Sequence, residues 1–401
     1  MWCYPIAMLE GVSVPTEDEQ ERPPISWKVK MLGRGLVALF TLSVLEVVSC
    51  VGGRVLRDKG TFYEPPSSEG FAAYREVRDP ETGWPPVGPR PDRDASGARI
   101  SPAFPDPTAK SCVSIYGDSF AYSDEVDHEH AWGNVLARML GCRVSNQGIT
   151  GFGTDQAFVR FRRMKDDRPK VALLGFPNEN IHRNVNQFRA LIVPRTAAFG
   201  FKPRFKVGAG GALELVSIKA PDTLEEHEAM AKNPELHFKD DYFVPGGGSG
   251  VRTLSFPYTL SIASLAGHYR IRAALARESS YAPFFKPDHP SGAMLVTAGI
   301  AKAFHEEAKE RGTWGAFVFV PLIGDMELRR KTGKLVHQPL IDELERTGIP
   351  YLDPTDMFLK ELDGKDPCSL FTKCLAGHYN ETGYKLFAES VRELLKEKGQ
   401  I

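Results

Sequence analysis

The chain reads as an α/β protein: three layers, doubly wound around a mostly parallel five-stranded sheet, with an N-terminal apolar helix and one insertion. Three observations predict this. From residue 111 onward, short apolar runs alternate with stretches of helical period. One run, VALLGF (171–176), has no polar alternation, as expected of a central parallel strand covered on both faces. The chain is also long enough, at 401 residues with 42% hydrophobic and 25% charged, to bury a sizeable core.

Residues 1–30 include TEDEQERPP, polar and proline-bearing, and read as a disordered tail. Residues 31–54 follow as a membrane-spanning signal anchor. GLVALFTLSVLEVVSCVGG (35–53) lies between Arg34 and Arg54 and carries one charge, Glu46. At ~1.5 Å per residue a helix of that length matches the hydrocarbon core. A cleaved signal and a buried core helix are the rival readings, but the run is long for a signal and lacks a clean small-x-small cleavage site. Basic residues flank both ends (Lys28, Lys30, Arg34; Arg54, Arg57, Lys59), so charge asymmetry leaves orientation open. Residues 55–110 hold EPPSSEG, WPPVGPRPD and SPAFPDP and read as a proline-rich stalk leading to the body or lying against it.

The body occupies 111–401. CVSIY (112–116) is its first strand. Trp132, Val135, Leu136, Met139 and Leu140 mark a helix that Gly141 stops. CRVSN (142–146) is the second strand. Ala157, Phe158 and Phe161 mark a helix for which Thr154 is the expected N-cap. After VALLGF the alternation breaks, and an insertion over about 185–290 holds a glycine-turned hairpin, FKVGAGGALELV (205–216). A helix through Met294, Ala298, Ala301 and Ala308, the strand AFVFVPL (316–322), a helix over 339–347, the strand IPYLD (349–353) and a last helix with Tyr384, Phe387, Val391 and Leu395 complete it.

Fifty basic and fifty-one acidic residues leave a net charge of −1, so no global field recruits nucleic acid. The six cysteines show no zinc-site spacing, and GITGFG (148–153) lacks the dinucleotide fingerprint. Neither a metal nor a cofactor is implied. Oligomeric state is not written in the sequence.

Ligands bind outside the carboxyl ends of the strands in open parallel sheets. YGDSF (116–120), NQGITGFGTDQ (146–156) and GFPNENIHRN (175–184) all leave such ends, and LAGHYNETGY (375–384) precedes the last helix. Together they offer a serine on a turn, a glycine-rich turn, asparagines and a histidine. Arg183, Asn184 and Arg189, which follow the third strand, are candidates to clamp an anionic or sugar substrate.

This combination resembles the SGNH (GDSL-type) hydrolases, over roughly residues 112–184 and 350–395 and in the same chain order. The resemblance implies a flavodoxin-like sheet and a serine acyl-enzyme mechanism. Gly117-Asp118-Ser119 matches the nucleophile block, and Asn146 to Gly151 the glycine block. His378 matches the base. Ser119 would be the nucleophile, and the Ser119 and Gly151 N–H groups with an asparagine amide would form the oxyanion hole. Asn178 and Asn180 both stand near the family's Gly-x-Asn-Asp block; Asn180, directly before an aliphatic residue, is the better match. The family's aspartate three residues before the histidine is Leu375 here. Asp353, Asp356, a backbone carbonyl or nothing at all would orient His378.

The expected activity is that of a membrane-anchored serine esterase, with an extracytoplasmic catalytic domain and an acylated substrate, either a small molecule or a glycan. The resemblance offers two alternatives: an O-acetyltransferase acting on exopolysaccharide or cell-wall glycan, and a non-catalytic carbohydrate-binding relative. An extracytoplasmic location also permits disulfides, for which Cys112–Cys142 and Cys368–Cys374 are the candidate pairs.

Overall fold

A computed structural model describes residues 26–85, 88–193, 198–374 and 377–401. The expected disordered tail lies outside these residues as far as residue 25, and from Trp27 the chain is already helical. Helix α1 runs Trp27–Asp58, with the Ser26 hydroxyl accepting from the Val29 N–H at its start. It is long and apolar enough to cross a membrane, and its central side chains are exposed.

In the body, β1 (Val113–Tyr116) leads through a single turn, Ser119–Tyr122, to α2 (Trp132–Leu140), which Gly141 ends at φ +68°. Strand β2 (Val144–Asn146), helix α3 (Thr154–Arg163) and strand β3 (Val171–Pro177) follow. The cap of α3 is Gly153 rather than Thr154: the Gln156 side chain reaches back to accept from the Gly153 N–H at 2.9 Å. The insertion carries the antiparallel hairpin β4 (Arg204–Val207) and β5 (Leu213–Val216). Helix α4 (Ala293–Glu310), strand β6 (Trp314–Val320), helix α5 (Gln338–Arg346), strand β7 (Tyr351–Leu352) and helix α6 (Glu381–Glu397) close the chain.

Five strands form one parallel sheet in the order β2-β1-β3-β6-β7, with Val113 opposite both Val144 and Val171, and Val171 opposite Trp314. With the hairpin set aside this is the 2-1-3-4-5 order of doubly wound folds, whose ligand crevice opens where β1 and β3 diverge.

The strict two-residue period of the strands divides the core in two. Tyr116, Leu174, Phe176, Phe317 and Phe319 point to one face, under α3, α4 and α5. Ile115, Leu173, Val318 and Val320 point to the other, under α2 and α6. Each such side chain contributes about 1.5–3 kcal/mol by burial.

The insertion joins the first of these cores. Phe188, Phe205, Phe238 and Phe243 are fully buried in it. Lys202 anchors it: the buried Nζ donates to the buried Asp155 carboxylate and to the carbonyls of Arg183 (2.9 Å), Asn186 (2.8 Å) and Pro203 (2.9 Å). Burial lowers the Lys202 pKa to about 8, with Asp155 opposing the fall.

The proline-rich segment lies against the body. Tyr63 bridges to Thr253 and donates its hydroxyl to the Ala231 carbonyl at 2.6 Å, while Asp94 pairs with Arg143 at 2.7 Å. Both candidate disulfides are formed. Cys112–Cys142 ties the starts of β1 and β2 (Cα–Cα 6.1 Å), and Cys368–Cys374 closes a short loop before His378 (Cα–Cα 4.9 Å).

Candidate active site

Strand β1 ends at the crevice, and Gly117 and Asp118 turn the chain there. The Asp118 carboxylate caps the following turn by accepting from the Phe120 N–H at 3.0 Å. Its other oxygen accepts from the Asn180 amide at 2.9 Å and from Arg183 at 3.3 Å. Asp118 is wholly buried, and burial raises its pKa while Arg183 opposes that rise. Ser119 thus opens a helical turn whose base is held from beneath. It is 6% exposed, and its hydroxyl has no hydrogen-bond partner among the described residues.

The glycine block is stitched to this turn. Asn146 donates to the Ala121 carbonyl at 2.8 Å and accepts from the Gly148 N–H at 3.0 Å, while the Ile149 N–H donates to the Gly117 carbonyl at 3.0 Å. A Cβ on Gly148 would meet the Tyr122 nitrogen at 2.4 Å, so only glycine permits this approach. Gly151 sits at φ +81°, and its N–H, like that of Ser119, makes no hydrogen bond to a described residue. The Trp84 ring lies beside it, donating to the Thr150 carbonyl at 3.1 Å and packing edge-on against Phe152.

His378 arrives from the far end of the chain. Its ring lies 4.8 Å, centroid to centroid, from that of Phe120, the residue after Ser119. Three bonds position its loop: the Thr372 N–H donates to the His378 carbonyl (2.9 Å), the Asn380 N–H to the Leu370 carbonyl (2.9 Å), and the Tyr379 hydroxyl to the Pro321 carbonyl (2.5 Å). The carboxylate facing the imidazole belongs to Glu125, whose Oε1 is 3.6 Å from Nδ1; its Oε2 accepts from the His378 backbone N–H at 3.2 Å. The hydrogen bond from Thr372 holds Glu125 below its usual pKa, with desolvation opposing it and the His378 N–H adding to the fall. The His378 Nδ1 is buried and makes no hydrogen bond among the described residues.

Glu125 reaches this position through an uncommon backbone. Both Ser123 (φ +73°) and Glu125 (φ +70°) are left-handed, a conformation costing on the order of 1 kcal/mol per residue. The buried Arg99 holds them there, donating to the carbonyls of Tyr122 and Ser123 (both 2.8 Å) and of Val126 (2.7 Å). Asp124, between them, accepts from the Thr150 hydroxyl at 2.9 Å and links this loop to the glycine block.

The remaining nominated residues lie elsewhere. Asp353 is taken by His337 (2.9 Å) and Thr355, and Asp356 by Arg329 (2.8 Å), so the acid beside His378 is neither of them. Asn178 donates to the Nδ1 of His337 at 2.9 Å, away from Asp118; only Asn180 stands beneath the serine turn. Leu375 lies outside the described residues. Asn184 and Arg189 are buried, and Arg183, its side chain 12% exposed, is taken up by internal partners, so the three present no open clamp. Arg183 holds Asp118 and the Phe152 carbonyl (2.8 Å), and Asn184 bonds Asp155 and Thr297. Burial, then nearby Arg183, lowers the Arg189 pKa to about 9. Sequence reasoning missed Glu125, Trp84 and Arg99. No spacing signal marks them, because each reaches the site through a loop conformation.

No protein-family model matches the chain, and no curated protein matches it in sequence. Solved structures with a similar arrangement include a member of the lipolytic G-D-S-L family from Veillonella parvula DSM 2008 (11% identity over 71% of this chain and 97% of that one, TM-score 0.33). Another is LAE5, an α/β hydrolase enzyme from the metagenome of Lake Arreo, Spain (12% identity, 73% and 96%, TM-score 0.37). The salicylyl-acyltransferase SsfX3 from a tetracycline biosynthetic pathway is a third (13% identity, 73% and 57%, TM-score 0.30). At such identities and TM-scores the fold rests on the strand order, not on these likenesses.

Proposed function

We propose that the chain is an ester-acting serine enzyme that works through an acyl-enzyme on Ser119. One observation carries this reading: three loops far apart in sequence meet at the β1/β3 crevice. They carry a serine hydroxyl and two backbone N–H groups, all without a hydrogen-bond partner among the described residues, and an imidazole with a carboxylate behind it.

In this reading His378 removes the Ser119 proton as the hydroxyl attacks the ester carbonyl, then returns it to the leaving alcohol. Glu125, 3.6 Å from Nδ1, places a negative charge behind the ring that stabilises the imidazolium as it forms. The Ser119 and Gly151 N–H groups receive the oxyanion, each such donor being worth roughly 3 kcal/mol. Asn180 spends one amide hydrogen on Asp118, and its second completes the hole. Water then releases the acyl group. The substrate is an acylated small molecule or glycan. Helix α1 anchors the enzyme in a membrane, and the two disulfides favour an oxidising, extracytoplasmic side.

The test is acetyl release from p-nitrophenyl acetate and from an acetylated oligosaccharide. The esterase reading expects turnover in water that Ser119→Ala abolishes. Turnover only with an unacetylated oligosaccharide as acceptor would reassign the chain as an acyltransferase using the same acyl-enzyme. No turnover under either condition would leave the carbohydrate-binding reading.

A further inference from the structure

The apolar run of α1 contains one charge, Glu46, two helical turns before Gly53 and so roughly 10 Å along the axis at ~1.5 Å per residue. If residues 35–53 fill the hydrocarbon layer, Glu46 lies well inside it, where a lone carboxylate costs several kcal/mol. The carboxylate is not alone. Its two oxygens accept from the backbone N–H groups of Tyr258 (2.7 Å) and Thr259 (3.1 Å), which open the short helix Tyr258–Ser264 of the insertion. One turn further along α1, the Ser49 hydroxyl meets that of Thr259 at 3.3 Å. Gly53 packs directly on Leu254. The insertion therefore descends along α1, from the level of Gly53 to that of Glu46.

The descending segment has the chemistry of a lipid-facing element. From Thr253 to Tyr269 it has no Asp, Glu, Lys or Arg, and Arg252 and Arg270 stand at its two ends. Phe256 (72% exposed) and Leu260 (66%) are as bare as Val47 and Val48 of α1. Two of its hydroxyls bond within the segment: Ser261 donates to the Ser255 carbonyl at 2.7 Å, and Ser264 to the Ser261 carbonyl at 2.7 Å. Backbone or hydroxyl groups entering hydrocarbon need such internal partners.

We propose that residues 254–264 form a second membrane element, a re-entrant loop that enters the bilayer alongside α1 and buries Phe256 and Leu260 among acyl chains. This rests on the reading of α1 as a membrane span. The occupant of the apolar face is lipid, because the face is continuous with that of α1 and lies at the depth of Glu46. Two points of grip, one on each side of the 60–250 stretch, fix the catalytic body against the membrane surface instead of leaving it on a swivel.

The test uses full-length protein in phosphatidylcholine vesicles, in a Cys3→Ser, Cys50→Ser background that leaves the disulfides intact. Single cysteines carrying an environment-sensitive fluorophore are placed by Phe256→Cys, by Leu42→Cys within α1, and by Lys385→Cys on α6, across the sheet from the insertion. Doxyl-labelled lipid should quench positions 256 and 42 alike, at least twofold more than aqueous iodide does, and position 385 should respond to iodide alone. Quenching of 256 by iodide but not by doxyl lipid, with 42 still lipid-quenched, overturns the loop while keeping the anchor. Shielding of 256 from both quenchers means a protein contact, such as a second copy, and also overturns it. Failure of lipid to quench 42 removes the anchor itself, and the loop with it.

Discussion

Two of the histidines that face carboxylates in this fold, His337 and His378, differ in what their nitrogens have left to do. His337 is buried; its Nε2 bonds Asp353 at 2.9 Å, its Nδ1 bonds Asn178 at 2.9 Å, and its ring stacks on Phe319. Tyr281 and Asp325 extend the polar cluster behind it. His378 keeps a side chain 20% exposed, stands 3.6 Å from Glu125, and makes no hydrogen bond through Nδ1. The first pair is saturated and serves the architecture. The second is poised beside a serine turn with bonding capacity in reserve. A histidine beside an acid is therefore not by itself a signature of chemistry.

The largest effects should separate the two sites. Ser119→Ala and His378→Ala should each lower kcat by roughly 10⁴-fold or more while leaving the unfolding free energy in urea within about 0.5 kcal/mol of the parent. His337→Leu should do the reverse. It strands Asp353 and Asn178, costing about 3–5 kcal/mol in urea unfolding, with kcat of the folded fraction changed only a few-fold. If His337→Leu abolished turnover in folded protein, the contrast would collapse.

Glu125→Gln sharpens the same contrast from the acid side. Removal of the charge behind the imidazole should cut kcat by about 10- to 100-fold, because the imidazolium formed in the transition state loses its stabilising partner. Asp353→Asn should leave kcat of the folded protein within a few-fold of the parent.

A further effect concerns pH. Burial raises Asp325 to about 6, with His337 pulling the other way. A carboxyl whose folded pKa exceeds its unfolded value near ~3.9 stabilises the fold fully below that value, and the contribution fades as pH rises through 6. The difference in unfolding free energy between the parent and Asp325→Asn should thus change by roughly 2–3 kcal/mol between pH 4 and pH 7, in the parent's favour at the acid end.

These contrasts also explain what the chain made legible. All five strands and the principal helices were visible, because doubly buried strands leave unbroken apolar runs and surface helices leave a 3.6-residue stripe. Ser119, the glycine block, Asn180 and His378 were visible because each follows a strand or precedes a helix. Glu125 was not. It reaches His378 only because Ser123 and Glu125 adopt left-handed backbone, held by an arginine from the proline-rich segment. Asp353 looked suitable by proximity in sequence, yet sequence proximity to His378 said nothing of His337, which claims it. Arg183, Asn184 and Arg189 read as an accessible polar stretch because nothing local announces that the insertion will fold over them. Thr154 lost the cap to Gly153 by one residue, within the ordinary blur of helix ends.

The central claim is that Ser119 is a nucleophile activated by His378. Its most direct test is peptide mapping after treatment with a fluorophosphonate. The account predicts a single phosphonyl adduct on Ser119, absent in His378→Ala and retained in folded His337→Leu. An unlabelled Ser119 in the parent, or labelling that persists undiminished without His378, would contradict it.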